Sequence, residues 1–276
     1  MKPAKPLALA LIAVAVSLTA CQSREKRQRE LAYVERPVEQ LYNQAGSELD
    51  SRDYETAILL FNEVERQHPY SEWARKAMVM TAYAHYRRRD YDEAISAAQR
   101  YISLHPGGTE AAYAYYLIAV SQFEQIVDVG RDQGMTEQTK VSLQDVLRRF
   151  PDSEYARDAQ LKLDMVNDQL AGKEMEVGRW YLRSNQTLAA INRFRTVVQD
   201  YDTTSHSEEA LYRLVEAYLS LGMRPQATEA AATLGYNYPE SDWYKMAYNL
   251  LTSEGVMLDT SATKRTLLQR IIPGGK

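Results

Sequence analysis

A short phrase returns three times along this chain, as HPYSEWA at residues 68–74, FPDSEYA at 150–156 and YPESDWY at 238–244. In each copy a ring and a proline precede a serine, an acidic residue and a second ring. Proline cannot continue an incoming helix, and serine is a favoured N-cap because its oxygen accepts hydrogen bonds from the free N–H groups of the first turn. The acidic residue faces the positive end of the helix dipole. The phrase therefore predicts the end of one helix, a turn and the start of the next.

A looser form of the phrase, Ser or Thr followed by an acid, predicts five helix starts. Upstream of each start lies a set of three residues that share one helical stripe. The set consists of a small residue, the residue four positions after it and the residue eleven positions after it. The starts are Ser71, Thr109, Ser153, Ser207 and Ser241, and the sets are Ala57/Phe61/His68, Ala94/Ala98/His105, Thr139/Leu143/Phe150, Ala190/Phe194/Tyr201 and Ala227/Ala231/Tyr238.

The shortest interval between these starts, from residue 207 to residue 241, matches the period of about 34 residues that is typical of tetratricopeptide repeats. Each such repeat is a pair of antiparallel helices. We therefore expect an all-α fold, a tetratricopeptide-repeat solenoid of about five helix pairs plus a C-terminal helix. The repeats cover residues 37–255, with N-terminal units at about 37–150 and C-terminal units at about 151–255.

The third and fourth repeats contain insertions relative to this period. Residues 126–138 contain two glycines and no apolar stripe, which predicts a long loop in the third unit. Residues 161–184 are helical in pattern throughout, and the sequence leaves open whether they form one long helix or two helices broken near Gly172. Residues 256–276 carry no repeat and are expected to be a flexible tail or a partner-binding segment.

The N-terminus has two lysines, an apolar stretch from Leu7 to Ala20 and then the single cysteine, Cys21. The stretch is short for a membrane span but suits a signal peptide. Because the letters LTAC resemble the bacterial lipobox, we expect a lipoprotein signal peptide at 1–20, lipidation at Cys21 and a lipidated tether at 21–36. An ordinary secretory signal with an incidental cysteine is the alternative. Gln22, in place of the Asp associated with inner-membrane retention, favours the outer membrane.

Composition and motifs argue against several function classes. A net charge of −4 disfavours nucleic-acid binding, which needs a basic face. The sequence holds no Gly-rich phosphate loop, no G-x-S-x-G, no H-E-x-x-H and no cysteine pair. The histidines are dispersed over different repeats. We therefore expect no enzymatic activity, no metal site and no cofactor.

The chain has 20 tyrosines against 4 phenylalanines, and many of them fall on the first helices of the predicted pairs. Tyrosine buries a ring while keeping a hydroxyl available, which suits a solvated binding groove, although packing between helices explains part of the excess. The concave face of a repeat array is its usual binding surface. The residues expected to line a peptide groove in the first two units are Tyr70, Tyr83, Tyr86 and Tyr113.

The lipobox, the tether and five repeat units with an elongated fourth together resemble the BamD (ComL) family, lipoproteins of the β-barrel assembly (Bam) machinery in Gram-negative outer membranes. The most specific stretches are YETAILLFNEVERQHPYSEWARKA, YISLHP and AAINRFRTVVQDY. The resemblance implies a non-catalytic scaffold that is lipid-anchored on the periplasmic face of the outer membrane. It also implies that the C-terminal units bind the POTRA domains of BamA and accessory Bam lipoproteins, and that the N-terminal groove receives outer-membrane protein precursors ending in an aromatic residue.

The same resemblance implies that Arg193, which follows Asn192 in AAINRFR, contacts BamA. On its predicted helix Arg193 lies at the margin of the stripe formed by Ala190 and Phe194, from which a charge can point outward. An ordinary solvated arginine is the alternative. For the whole chain, the alternative is a tetratricopeptide-repeat lipoprotein of cell-envelope or peptidoglycan maintenance.

Overall fold

The computed structural model describes residues 36–126 and 133–256. Within these ranges the chain forms eleven α-helices and no β-strand, which confirms the all-α prediction. The helices form two compact units, unit 1 up to Glu124 and unit 2 from Gln125 onward. The signal peptide, Cys21, almost all of the tether and the tail beyond Val256 lie outside the described residues, so the expectations for them stay predictions.

In unit 1, two helix pairs are followed by a fifth helix, α5, which takes the place of a first helix. Each helix packs on the next along the chain, and the first helices also pack on one another, α1 on α3 and α3 on α5. This is the arrangement expected of tetratricopeptide-like pairs. The helices are α1 (Val38–Asp50), α2 (Tyr54–Gln67), α3 (Glu72–Arg88), α4 (Tyr91–Leu104) and α5 (Ala111–Phe123).

Unit 2 continues the pattern and ends in a lone helix, as predicted. We expected the N-terminal group of repeats to end near residue 150, whereas the compact units divide after Glu124, because α6 packs on α7 within unit 2. The helices are α6 (Gly134–Arg149), α7 (Ala156–Arg183), α8 (Thr187–Asp200), α9 (Ser207–Ser220), α10 (Arg224–Asn237) and α11 (Asp242–Ser253).

The predicted small and i+4 positions form the core of every second helix. All of them are at most 1% exposed, and an alanine at the small position lets the neighbouring helix approach closely. The register of the repeat is therefore confirmed. These residues are Ala57, Phe61, Ala94, Ala98, Thr139, Leu143, Ala190, Phe194, Ala227 and Ala231.

The ring positions of the stripe have a different role from the one predicted, because each is the C-cap of its helix. In all five caps φ lies between −132° and −138°, and the cap N–H donates to the carbonyl four residues earlier. The helix thus ends at the ring, and in four of the five copies a proline follows that prevents its continuation, whereas Asp202 follows Tyr201. The capping residues are His68, His105, Phe150, Tyr201 and Tyr238.

Four first helices, α1, α3, α7 and α9, and the lone helix α11 end in another way, with a left-handed residue in the turn that follows. Such a backbone is easy for glycine and tolerable for asparagine, but it strains an arginine. The residues with positive φ are Arg52 (67°), Arg89 (69°), Asn185 (57°), Gly222 (72°) and Gly255 (68°).

The predicted N-caps are correct at two of the five starts. The hydroxyl of Ser71 accepts from the N–H of Ala74, and that of Ser241 accepts from the N–H of Trp243. The prediction is wrong at the other three starts, because a second reverse turn intervenes before the helix. There the caps are Glu110 for α5, Tyr155 for α7 and His206 for α9, while the Ser207 hydroxyl donates to the carbonyl of Tyr201.

Residues 161–184 form the greater part of one unbroken helix, which settles the question left open by the sequence. Helix α7 has 28 residues and runs through Gly172 without a break. Its second glycine, Gly178, lies against the ring of Phe194 on α8, where an added Cβ would stand 2.5 Å from a ring carbon. The glycine therefore sets how closely α8 approaches α7.

Candidate protein-binding surfaces

A group of tyrosine rings connects α3 and α5 on the first helices of unit 1. The ring centroids of Tyr83 and Tyr113 are 6.2 Å apart, and those of Tyr113 and Tyr116 are 6.5 Å apart in a stacked arrangement. All three side chains are partly exposed, so part of each residue is accessible to solvent. We call this surface the tyrosine face and define it by Tyr54, Tyr83, Arg87, Tyr113 and Tyr116.

Arg87 lies on the tyrosine face one helical turn after Tyr83. Its Nη1 donates to the Tyr83 hydroxyl at 2.6 Å, and its Nη2 donates to the Tyr54 hydroxyl at 3.3 Å. The guanidinium carbon stands 5.5 Å and 5.7 Å from the centroids of these two rings, within the range of cation–π attraction. The hydrogen bond to Tyr83 raises the pKa of Arg87 above its usual value. The sequence analysis did not select Arg87, although its i, i+4 spacing from Tyr83 was available as a signal.

The other two predicted groove tyrosines differ in their surroundings. Tyr86, on α3, has its ring 6.0 Å from that of Tyr91, and burial raises the pKa of its hydroxyl. Tyr70 lies in the turn before α3 with 97% of its surface exposed. Tyr83 lies eleven positions after Glu72, the first residue of α3. At 1.5 Å per residue, this places Tyr83 about 17 Å along the helix axis from its start. The structure therefore brings Tyr83 and Tyr113 together and leaves Tyr70 apart from them.

A second aromatic group in unit 1 was missed by the sequence analysis. The rings of Tyr42 on α1 and Trp73 on α3 are 4.9 Å apart, and Tyr42 also meets Phe61 edge to face at 5.4 Å. The ammonium of Lys76 stands 5.4 Å from the centroid of the Trp73 ring. Trp73 belongs to the recurring phrase, so a signal existed, but the phrase was interpreted only as a helix start.

Unit 2 carries a corresponding ring pair between α9 and α11. Tyr212 and Trp243 have centroids 5.3 Å apart, and the guanidinium of Arg213 lies 5.5 Å and 5.8 Å from the two rings. Glu209 and Glu216 both form ion pairs with Arg213, at 3.3 Å and 2.9 Å. Glu209 also pairs with Arg179 of α7 at 2.9 Å. The cations at this site are therefore neutralised within the unit.

Arg193 lies on α8 as predicted, at the edge of the buried stripe, with 44% of its side chain exposed. Its Nη1 donates to both carboxylate oxygens of Glu174 on α7, at 3.2 Å and 3.1 Å. The hydrogen bond and charge of Glu174 raise the pKa of Arg193 above its usual value. The predicted outward charge thus has an internal partner that sequence reasoning did not identify.

A cavity of about 320 Å³ lies between α8, α9 and α10. Its lining includes apolar side chains, one arginine and one glutamate. None of the predicted binding residues lines it. The lining residues are Arg195, Val198, Gln199, Leu211, Leu214, Tyr218, Gln226, Glu229, Ala230 and Thr233.

The described part of the chain offers neither a metal site nor a membrane span. Between residues 36 and 126 and between 133 and 256, no group of three or more His, Cys, Asp and Glu side chains is arranged to hold a metal ion. Over the same part of the chain, every helix is too short or too polar to span a bilayer.

Comparison with known proteins gives consistent matches over most of the chain. A protein-family model, YfiO, described as an outer membrane lipoprotein, matches residues 34–248. The outer membrane protein assembly factor BamD of Caulobacter vibrioides is 52% identical over 97% of this chain and 89% of its own length. BamD of Rickettsia prowazekii is 43% identical over 88% of this chain and 95% of its own length.

Solved structures give more distant similarities. The TPR2AB domain of yeast Sti1, solved in complex with a pHSP90 segment, covers 84% of this chain and 91% of that chain with 13% identity and a TM-score of 0.42.

Proposed function

Because this chain belongs to the YfiO family of outer membrane lipoproteins, we propose that it is a BamD-type assembly factor for outer-membrane proteins and acts as a non-catalytic scaffold. The observation that carries the proposal is the 52% identity to Caulobacter BamD over 97% of the chain. The helix pairs support a scaffold role, because stacked pairs offer extended surfaces to other proteins.

The scaffold is anchored by lipid on Cys21 at the periplasmic face of the outer membrane. The lipobox and Gln22 support this assignment. The described helices bury their stripes against one another, so the fold needs no membrane. We expect Cys21→Ala to keep its helix content and melting temperature while leaving the membrane fraction. Palmitate labelling that persists in Cys21→Ala would contradict the assignment.

Unit 2 binds the POTRA domains of BamA, with Arg193 as one contact, and accessory Bam lipoproteins bind the same unit. The pair with Glu174 supports this role for Arg193, because the exposed guanidinium is held in a fixed orientation yet remains accessible to a second carboxylate. On binding, a carboxylate of BamA either displaces Glu174 from the Arg193 guanidinium or binds the guanidinium together with Glu174.

Unit 1 receives unfolded outer-membrane protein precursors on the tyrosine face. The partly exposed rings of Tyr83, Tyr113 and Tyr116 support this role, because they offer apolar contact area at little entropic cost. Photocrosslinkers at Tyr83 and Tyr113 are expected to capture barrel precursors. A crosslinker at Tyr70 serves as the matched exposed control and is expected to capture less.

Affinity purification of the full lipoprotein from solubilised outer membranes tests the proposed function as a whole. We expect recovery of a BamA-sized barrel protein, and we expect depletion of the lipoprotein to reduce the folded barrel proteins in the outer membrane. The absence of such a partner, together with muropeptide release that depends on this protein, would instead support the cell-envelope maintenance alternative.

A further inference from the structure

The cavity between α8, α9 and α10 is lined by one face of each helix. On all three helices the lining positions recur at helical spacing, for example Leu211, Leu214 and Tyr218 on α9. Its volume of about 320 Å³ is at the lower end of the range that is typical of small-molecule sites. The cavity therefore has room for one small molecule rather than for a folded partner.

The apolar part of the cavity lining is buried. Leu211, Leu214 and Ala230 are 3%, 4% and 7% exposed, and Val198 is half-buried. Arg195 is exposed, so it lies where the cavity meets solvent. A ligand can therefore place an apolar group against the two leucines, which contributes affinity through the area removed from water, while its polar groups stay near the entrance.

Arg195 and Glu229 bring two opposite charges to the lining, and these charges do not pair. Among the residues that the structure describes, neither forms an ion pair, whereas Arg193 and Arg213 of the same unit pair with glutamates. Burial raises the pKa of the Tyr218 hydroxyl, and the charges of Arg195 and Glu229 act on this hydroxyl in opposite directions. Both charges therefore lie near Tyr218, with a gap between them that a ligand can bridge.

A ligand that satisfies both side chains needs an anionic group for Arg195 and a cationic group for Glu229. A free α-amino acid carries a carboxylate and an ammonium group on one carbon. A residue inside a polypeptide carries neither, because both groups are in peptide bonds. A simple organic anion would leave Glu229 unpaired and be repelled by it. A zwitterionic lipid has comparable charges, but its acyl chains are too large for this cavity.

We propose that the cavity binds a free apolar α-amino acid, whose carboxylate contacts Arg195 and whose ammonium group contacts Glu229. The side chain of the amino acid lies against Leu211 and Leu214. This inference goes beyond the proposed scaffold role and does not depend on it, because none of the residues assigned to protein partners lines the cavity.

Isothermal titration calorimetry of the full lipoprotein in lipid nanodiscs tests the proposal, with empty nanodiscs as the reference. The probe is L-leucine, and each of three analogues removes one feature of it. Leucinamide lacks the carboxylate, N-acetylleucine lacks the ammonium group and glycine lacks the apolar side chain. We expect each analogue to bind about tenfold more weakly than leucine, because a group of the site then loses its partner.

Two variants assign the charges to their residues. Arg195→Gln is expected to lose the preference for leucine over leucinamide, and Glu229→Gln is expected to lose the preference for leucine over N-acetylleucine. Arg224→Gln is the matched control, because Arg224 is an exposed arginine of α10 that does not line the cavity. It is expected to keep both preferences. Circular dichroism checks that all three variants keep the helix content of the unmodified protein.

The absence of saturable leucine binding, or equal binding of leucine and its analogues, would overturn the proposal. Preferences that persist in both Arg195→Gln and Glu229→Gln would overturn it as well, because leucine would then bind elsewhere. None of these outcomes bears on the assembly role, which is tested separately by the purification of a BamA-sized partner.

Discussion

Tyr42 and Trp73 in unit 1 form the same kind of contact between first helices as Tyr212 and Trp243 in unit 2. The ring centroids are 4.9 Å apart in the first pair and 5.3 Å in the second. Both tryptophans follow their capping serines by two residues. A cation stands over each tryptophan, Lys76 in unit 1 and Arg213 in unit 2.

The two units differ in the partners of the arginines on their candidate binding surfaces. In unit 2 Arg213 and Arg193 are held by glutamates, so a partner must compete with an internal carboxylate. In unit 1 Arg87 bonds to tyrosine hydroxyls and keeps its charge available. One repeat geometry therefore supports two kinds of surface, because the exposed residues can change while the buried stripe stays the same.

The largest expected effect tests the buried stripe that the units share. Phe61 and Phe194 occupy the same repeat position and are 1% and 0% exposed. We expect Phe61→Ala and Phe194→Ala each to lower the free energy of unfolding by about 3–5 kcal/mol. Urea denaturation of the unanchored Cys21→Ala chain measures this. Leu188→Ala, at a residue that is 67% exposed on α8, is the control and should change stability by less than about 0.5 kcal/mol.

The second prediction concerns the charge difference between the units. Arg193→Glu removes the contact proposed for BamA and sets two glutamates side by side on α7 and α8, so we expect about 2–5 kcal/mol of lost affinity for a POTRA fragment. Glu174→Gln removes the internal competitor and is expected to raise the affinity about two- to threefold. Isothermal titration calorimetry measures both. Arg195→Glu, two residues further on α8, is the control and should bind the POTRA fragment as tightly as the unmodified protein does. Unchanged affinity in Arg193→Glu would contradict the assignment.

Two glycines test whether close packing between helices requires the absence of a Cβ. Gly178 in unit 2 lies against the buried Phe194 ring, whereas nothing stands within 4 Å of a Cβ added at Gly46 on α1. We expect Gly178→Ala to lower the free energy of unfolding by about 1–2 kcal/mol through overpacking. Gly46→Ala should raise it by about 0.5–1 kcal/mol through helix propensity. Thermal denaturation that shows the same sign for both variants would contradict the close approach of α8 to α7.

The smallest expected effect is a pH-dependent bond in unit 1. The Tyr101 hydroxyl donates to Glu110 at 2.9 Å, and burial together with this carboxylate raises the pKa of Tyr101 to about 12. Burial by itself raises the pKa of Glu110, but hydrogen bonds from Thr109 and Tyr101 outweigh it and leave the pKa below 4.5. We expect Tyr101→Phe to lower the free energy of unfolding by about 1 kcal/mol at neutral pH.

The sign of the pH dependence follows from the lowered pKa of Glu110. The contribution of a carboxylate with a depressed folded pKa is present above its unfolded value and is lost as the pH falls through the folded value. The difference between the unmodified protein and Tyr101→Phe should therefore shrink below pH 4.5. In unit 2 the Tyr238 hydroxyl donates to the backbone carbonyl of Asp202, so Tyr238→Phe should show no such change. Parallel pH profiles for the two variants would contradict the argument.

The fold was predictable from sequence because its core depends on local spacing. The small and i+4 positions were assigned correctly in all five second helices, since helical periodicity decides which residues face inward. Three capping predictions failed because an extra reverse turn precedes the helix. At Thr109 and Ser153 the helix starts later than predicted, and Ser207 is the first residue of its helix rather than the N-cap. A Ser or Thr followed by an acidic residue occurs in both kinds of turn, so this motif does not distinguish the two.

The candidate sites were only partly predictable, because they depend on contacts between helices. Tyrosine excess pointed to Tyr83 and Tyr113, which do meet, but also to Tyr70, which points into solvent at the opposite end of α3. The pairing of Arg193 with Glu174 joins residues on different helices. Composition and repeat spacing give the helix that carries a residue, but not the partner that reaches it from the next helix.

The unbroken helix α7 has a mechanical consequence. At 1.5 Å per residue its 28 residues form a rod about 42 Å long, roughly twice the length of α6 or α8. Helices α6 and α8 both pack on α7, and α8 does so where Gly178 meets Phe194 and Glu174 meets Arg193. A force applied to α6 is therefore transmitted through the continuous backbone hydrogen bonds of α7 to α8, the helix that bears Arg193. No helix break within α7 allows the two ends to bend independently.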